Sequence, residues 1–344
     1  MKIAVLSGSI PIGRSRMDEV ASALLRELAV RGHDAESFRI PFDPTPDLGM
    51  IHTILAARRL RVANVDRIIC LDFPAYCIPH PNKIIWLLQN LRQAYDSADT
   101  PYPAIPDTKV GRSIRESVLR ADGDALAEAS LVVTGTLDLR SSISKFHGRS
   151  AEVLRVPPIV RSAISIERGS FVLCSGPVRR INRQHLLVEA INQCQTPVRL
   201  IISGFEESRA ESGPLREAIR RNGVPGRIEW ISEPYDELER TTLMSSALAG
   251  AWVSHADPQG ETFALESFRF SKPMITCSDS GGIAELVVNG ASGWVTAPAS
   301  IELAKVMDEA YMDRERTANM GLQAHAHAQS LEQNWDEVIE RLIR

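Results

Sequence analysis

The sequence lacks the marks of a membrane span, a disulfide framework and a nucleic-acid surface. Its apolar runs fall well short of the ~20 residues that a membrane-crossing helix needs. Five cysteines, Cys70, Cys77, Cys174, Cys194 and Cys277, are odd in number, show no CxxC spacing and lie mostly inside apolar runs such as Ile68-Ile69-Cys70-Leu71. They read as reduced core thiols, because a metal or redox set needs clustered partners. Neither sign of charge dominates: 39 Lys and Arg face 43 Asp and Glu, a formal charge of −4. No overall field gathers nucleic acid or anionic lipid, so any anion site is local. Internal repeats, low-complexity tracts and long charge blocks are absent, and Lys2 leads directly into the apolar Ile3 to Leu6 instead of a signal peptide. The expectation is a cytoplasmic protein with no nucleic-acid partner, touching the inner membrane only peripherally.

What is present suits two globular domains. Hydrophobic residues make up 44% and charged residues 24% of 344 positions, and single cores usually stop growing near ~250–300 residues. Ile3 to Leu6 reads as a buried strand, followed by Val20, Leu24, Leu25 and Leu28 at helical spacing and a stop at Gly32. Further strands are expected at Arg67 to Leu71, Ile84 to Leu88, Leu131 to Thr134, Phe171 to Cys174, Val198 to Ile202, Arg227 to Ile231, Ala251 to Ser254 and Pro273 to Cys277. Helical patterns separate most of them, and this alternation predicts parallel sheets covered by helices on both faces. The rhythm breaks over Val153 to Ser170, with Pro157-Pro158, where a linker is expected. Residues 97–109, with three prolines, read as a surface loop, and Leu331, Trp335, Val338, Ile339 and Leu342 suit a final amphipathic helix.

The segment Ser7-Gly8-Ser9-Ile10-Pro11-Ile12-Gly13-Arg14-Ser15 follows the first strand, where backbone amides can cradle a phosphate. Three readings stay open. A P-loop needs Lys at the position of Arg14 and an acidic metal partner after another strand. The stretch also looks like the phosphate loop of flavodoxin-like flavin reductases, which are usually much shorter chains. The plainest reading is the tight first turn of any doubly wound domain.

A second segment runs Phe73-Pro74-Ala75-Tyr76, then His80-Pro81-Asn82-Lys83, the apolar Ile84 to Leu88, and Gln89-Asn90-Leu91-Arg92-Gln93-Ala94-Tyr95-Asp96. It resembles a bacterial branch of the family-4 retaining glycosyltransferases, in which a His-Gln-His triplet stands where this chain has Gln89-Asn90-Leu91. The run Leu173-Cys174-Ser175-Gly176-Pro177-Val178-Arg179-Arg180-Ile181-Asn182-Arg183, with the helix that follows, is similar to the family's opening donor-domain loop. The family's diphosphate-gripping Arg and Lys fall at Pro177 and Asn182. Losing two charge-assisted hydrogen bonds costs about 3–6 kcal/mol, unless Arg179, Arg180 or Arg183 substitutes.

The most specific resemblance is Glu266-Ser267-Phe268, a helix to Lys272-Pro273, the strand Met274 to Cys277, then Ser278-Asp279-Ser280-Gly281-Gly282-Ile283-Ala284-Glu285-Leu286-Val287. Gly281-Gly282 let a backbone approach a ligand. Glu266 matches the family's ribose-binding glutamate, whereas the partner eight positions earlier is Pro258; Glu261 or Asp257 would then have to serve.

The resemblance covers residues 73 to about 325 and implies the GT-B fold: two Rossmann-like, doubly wound parallel-sheet domains facing a cleft. The expected division is an acceptor-side domain at 1–157, a nucleotide-sugar domain at 158–325 and a tail at 326–344 whose helix packs back on the first domain. It implies a hexosyltransferase-type enzyme of polysaccharide biosynthesis, transferring sugar with retention from a nucleotide sugar to a glycan or lipid-linked acceptor. No cofactor or metal is expected, and no catalytic residue is assigned. Donor contacts would come from Ser175, Gly176, Arg183, Glu266, Ser280, Gly281 and Gly282, with Arg179, Arg180 and Glu261 as substitutes. Gly13, Arg14, His80, Lys83 and Arg92 would line the acceptor side. The changes at Gln89, Pro177, Asn182 and Pro258 admit a second reading, a non-catalytic homologue that binds a glycan or a partner glycosyltransferase subunit.

Overall fold

The computed structural model describes residues 1–9, 16–43, 45, 47–101, 103–159, 169–206, 208–232, 237–255 and 257–344. The chain divides into two compact units, Met1–Val160 with Glu332–Arg344, and Arg161–Leu331. The second crossing thus lies after the helix that ends at Leu331, and the first three residues past the 157/158 division expected from sequence.

Unit 1 contains β1 (Lys2–Ser9), α1 (Arg16–Val30), β2 (Asp34–Pro41), α2 (Gly49–Arg59), β3 (Arg67–Asp72), β4 (Lys83–Gln89), α3 (Lys109–Glu128), β5 (Leu131–Thr134), α4 (Leu137–His147) and β6 (Glu152–Val153). All strands are parallel, in the order β2-β1-β3-β4-β5-β6. The central strands are apolar between their ends because helices cover both sheet faces. Ile68, Cys70 and Ile85 belong to one core with Met50, Ile114 and Val118, while Ile69, Leu71 and Trp86 belong to the other with Val20, Leu24 and Leu28. Helix starts are capped: Thr108 accepts from the Gly111 amide before α3, and Thr136 from Leu139 before α4.

Unit 2 contains β7 (Phe171–Ser175), α5 (Gln184–Gln193), β8 (Arg199–Ser203), α6 (Arg209–Asn222), β9 (Ile228–Ile231), α7 (Glu237–Ser246), β10 (Ala249–Trp252), α8 (Pro258–Arg269), β11 (Met274–Cys277), α9 (Gly282–Leu286), β12 (Gly293–Thr296), α10 (Ser300–Met312) and α11 (Arg314–Leu331). Its parallel order is β12-β11-β10-β7-β8-β9. In each sheet the chain reverses its direction of growth once, between β1 and β3 in unit 1 and between β7 and β10 in unit 2.

The last helix, α12 (Trp335–Ile343), is part of unit 1. Asn334 caps it by accepting from the Glu337 amide at 2.8 Å. Val338, Ile339 and Leu342 enter the core built by α1 and the sheet, and Trp335 meets Trp86 edge-on with ring centres 6.4 Å apart. No helix among the described residues is long and apolar enough to cross a membrane.

Lys83 has no exposed surface, and its ammonium donates to the Tyr76 carbonyl at 3.1 Å and to Glu128 at 2.9 Å. Hydrogen bonds from Arg58 chiefly hold the Glu128 carboxyl down to about 2, with burial opposing and Lys83 reinforcing. Lys83→Met should cost about 1–3 kcal/mol, less than a fully buried pair, because Glu128 keeps Arg58. Glu128 titrates below its ordinary value of 4.5. Its contribution is therefore complete above that pH and lost as pH falls through about 2. Urea unfolding across this range should show the Lys83→Met deficit shrinking toward the acid end.

Candidate functional site

In a doubly wound sheet, ligands sit outside the carboxyl ends of the strands where the order reverses. In unit 2 that point lies between β7 and β10. Arg183 crosses it. The residue has φ +51° and is 5% exposed, so the turn before α5 carries its side chain inward. Its Nε donates to the Val253 carbonyl just beyond β10 at 2.7 Å, and its two terminal nitrogens donate to both oxygens of Asp279 at 2.7 Å each. His255 Nδ1 stands 3.3 Å from Asp279 Oδ2. Burial pushes the Asp279 carboxyl up, but hydrogen bonds and charge from Arg183, with His255 adding to them, hold it below its ordinary value.

Asn182 supplies a second crossing. It is 3% exposed, donates to the Pro177 carbonyl at 2.8 Å and accepts from Ser254 Oγ at 3.0 Å. Ser254 also lies 3.2 Å from Asp257, whose carboxylate caps α8 through the Gln259 amide. Pro258 is the first residue of that helix, where its missing N–H costs nothing. Ser175 ends β7, and the Gly176 amide donates to Ser203 at 2.8 Å. Gly176 has φ +149°, and a Cβ there would lie 2.8 Å from the Trp252 ring.

The loop after β11 completes the edge. Ser280 is fully buried, and its hydroxyl has no hydrogen-bond partner among the described residues. Gly281 turns with φ +74° and ψ −141° into Gly282 and α9, a backbone that favours glycine. Of the substitute arginines, Arg179 is half-buried, while Arg180 is exposed and its backbone amide faces Glu211 at 2.9 Å. Arg183 is the one whose hydrogen bonds reach both the end of β10 and the loop after β11. The glutamates differ as well: Glu261 is 1% exposed in the first turn of α8, whereas Glu266 is half-buried five residues on. At 1.5 Å rise per residue that is about 7–8 Å further from the carboxyl edge, so Glu266 does not stand at a helix start.

Among the described residues of unit 1, the expected acceptor-side residues are not brought together. Gly13 and Arg14 lie outside the described residues. His80 and Lys83 stand at the amino edge of the sheet, where His80 accepts from the Asn82 amide and Lys83 is committed to Glu128. Lys83 is thus a structural cation, fully buried at the amino edge. Arg92 follows β4 on the carboxyl edge, in a 3-10 turn over Arg92–Ala94. At the reversal between β1 and β3, the Gly8 amide donates to Asp72 at 2.6 Å, and burial pushes the Asp72 carboxyl up to about 8 against that bond. Sequence reading missed Asp72, Ser254, His255 and Asp279. Their one signal is shared: each is a polar residue within two positions of the end of a strand-like run. No group of three or more His, Cys, Asp or Glu among the described residues is placed to hold a metal ion.

Two six-stranded parallel sheets, each doubly wound with a polar carboxyl edge, are the two Rossmann-like domains of the GT-B fold. Residues 160–327, just under half of the chain, match the family described as Glycosyl transferases group 1, and this match supports a transferase. The crystal structure of Anabaena HepE in complex with UDP and glucose is similar over 100% of this chain and 98% of its own, at 19% identity and a TM-score of 0.72. Sucrose-phosphate synthase from Thermosynechococcus elongatus matches over 98% and 97%, at 13% identity and a TM-score of 0.76. WaaG, a glycosyltransferase involved in lipopolysaccharide biosynthesis, matches over 98% of each chain at 14% identity and a TM-score of 0.67. Comparison with curated protein sequences finds no match.

The Asn182 crossing generates a direct test. Asn182→Ala removes one of the bonds at the Pro177 carbonyl and at the Ser254 hydroxyl, which keep Gln184 and Asp257 as partners, and should destabilise unit 2 by about 0.5–1.5 kcal/mol. Denaturant unfolding followed by tryptophan fluorescence measures this, and an unchanged midpoint would show that Asn182 is idle.

Proposed function

We propose that the chain is a retaining glycosyltransferase that holds a nucleotide sugar at the carboxyl edge of unit 2 and passes its sugar to a glycan or lipid-linked acceptor. Arg183 carries the reading: within the segment that matches the group 1 family, its guanidinium lies at the reversal between β7 and β10. A guanidinium there suits a departing diphosphate, since a charge-assisted pair is strongest where water is excluded. The buried Ser280 hydroxyl and the Gly281 turn add a donor and a close backbone approach. HepE, which shares the fold, has been crystallised with UDP and with UDP-glucose, and this supports a nucleotide sugar as the co-substrate here. In this reading the reaction uses no further cofactor and takes place in the cytoplasm, peripheral to the inner membrane. A glutamate of α8 meets the ribose, Glu266 by resemblance to the family or Glu261 by its place in the first turn.

A second reading, a non-catalytic subunit that binds a glycan or a partner glycosyltransferase, draws support from Asn182. It replaces a gripping cation with a neutral, buried group whose hydrogen bonds are satisfied internally.

Calorimetry with UDP-, GDP- and ADP-sugars tests the donor site, and one nucleotide class should bind. Glu261→Gln and Glu266→Gln, measured separately, should single out the ribose partner by a loss of about 1–3 kcal/mol. Absence of binding across the panel would overturn the assignment. Turnover that yields an inverted anomer in the proton spectrum would overturn retention, and binding without turnover on any acceptor would favour the second reading.

A further inference from the structure

The anion that Arg183 holds in this structure is the protein's own. Its fork is closed on both Asp279 oxygens, a bidentate geometry that a phosphate would also adopt. We propose that Asp279 is an internal counter-anion, occupying the phosphate-binding face of Arg183 and thereby setting how tightly unit 2 takes a diphosphate. This rests on the reading of unit 2 as a nucleotide-sugar site.

Three observations carry it. Arg183 cannot swing to meet a ligand elsewhere without giving up the Val253 carbonyl, because its Nε is anchored there at 2.7 Å and its side chain is 6% exposed. Asp279 is the more accessible partner, 31% exposed, and it lies in the short loop between β11 and Gly281. That loop is pinned on either side, Ser278 donating to Thr296 and Ser280 to Cys277, so the carboxylate is presented toward the crossing by its backbone. His255 approaches the same carboxylate from the end of β10. A diphosphate arriving at Arg183 therefore finds an anion already in place, and must displace it or bind beside a neutralised cation. The loop that carries Asp279 also carries Ser280 and Gly281, so displacement would move the other groups expected to touch the donor.

Asp279→Asn keeps the shape and removes the charge. In the free variant Arg183 becomes a buried cation without its counter-ion, an unfavourable arrangement that an incoming anion relieves. Inorganic pyrophosphate, which probes the anion site whatever the base and sugar, should bind the variant at least tenfold more tightly than the wild type by calorimetry. The variant should melt lower in buffer and regain more stability on adding pyrophosphate than the wild type does. Asp279→Ser, neutral and smaller, should show the same gain in affinity, and Arg183→Gln in the Asp279→Asn background should abolish it. Unchanged or weaker pyrophosphate binding in both neutral variants would overturn the proposal and make Asp279 a positioning residue for Arg183. Should a nucleotide sugar bind the wild type while the variants show no gain, the donor site stands and the counter-anion falls. If pyrophosphate tightens while no nucleotide sugar binds any form, the counter-anion stands and the nucleotide-sugar reading falls.

Discussion

The polar groups of both crossings are placed by one constraint: parallel strands buried on both faces leave the ends of those strands as the ground for charge. Strand interiors accept Ile, Val, Leu, Cys and Trp, and the side chains that need water or partners collect where the strands stop. Within each edge the reversal of strand order opens a gap that backbone pairing cannot close. Both gaps are crossed by a polar bond instead, Gly8 to Asp72 in unit 1 and Arg183 to Val253 in unit 2. The crossings are alike in position and differ in chemistry, a carboxyl that burial pushes up to about 8 in one unit and a guanidinium in the other.

How far the sequence disclosed this follows from the same constraint. The buried strands were legible because they are short apolar runs, and β3, β5 and β11 lie within a residue of the spans expected for them. The edge strand β2 was not, since Asp34, Glu36 and Arg39 break any apolar pattern and most of its side chains are exposed. The four-residue β12, opening on Gly293, and the two-residue β6 are too short to show a period. At β10 the expectation ran to Ser254, but pairing ends at Trp252, which frees the Val253 carbonyl and the Ser254 hydroxyl for Arg183 and Asn182. Ser175, Gly176 and Ser280 to Gly282 could be named in advance because glycine beside an apolar run marks a turn. Asp279 and His255 could not, because Asp279 takes its meaning from Arg183, 96 residues away, and His255 takes its own from Asp279. Lys83 misled for a complementary reason: a lysine at a strand's start looks available until α3 delivers Glu128.

The departures from the family pattern acquire a physical description. Asn182 is the hub of a hydrogen-bond network that ties the loop after β7 to the start of α8. Pro258 is a helix-opening residue. The net charge of the crossing is then decided by Arg183 against Asp279, with His255 beside them. Such a site differs in kind from one lined by two uncompensated cations, since its attraction for an anion depends on how easily one loop gives way.

The discontinuity of unit 1 bears on how the protein is made. Val338, Ile339 and Leu342 close a core whose other walls, including Val5, Leu24, Trp86 and Leu154, lie in the first half of the chain. During synthesis those walls leave the ribosome long before their cover. The intervening segment, Arg161–Leu331, takes on the order of 10–30 s to translate at ~5–20 residues per second. Over that interval the nascent chain carries an uncapped apolar face while unit 2 is still being made. The amino-terminal unit is thus begun first and completed last, and its period of greatest risk of aggregation is set by the length of its neighbour.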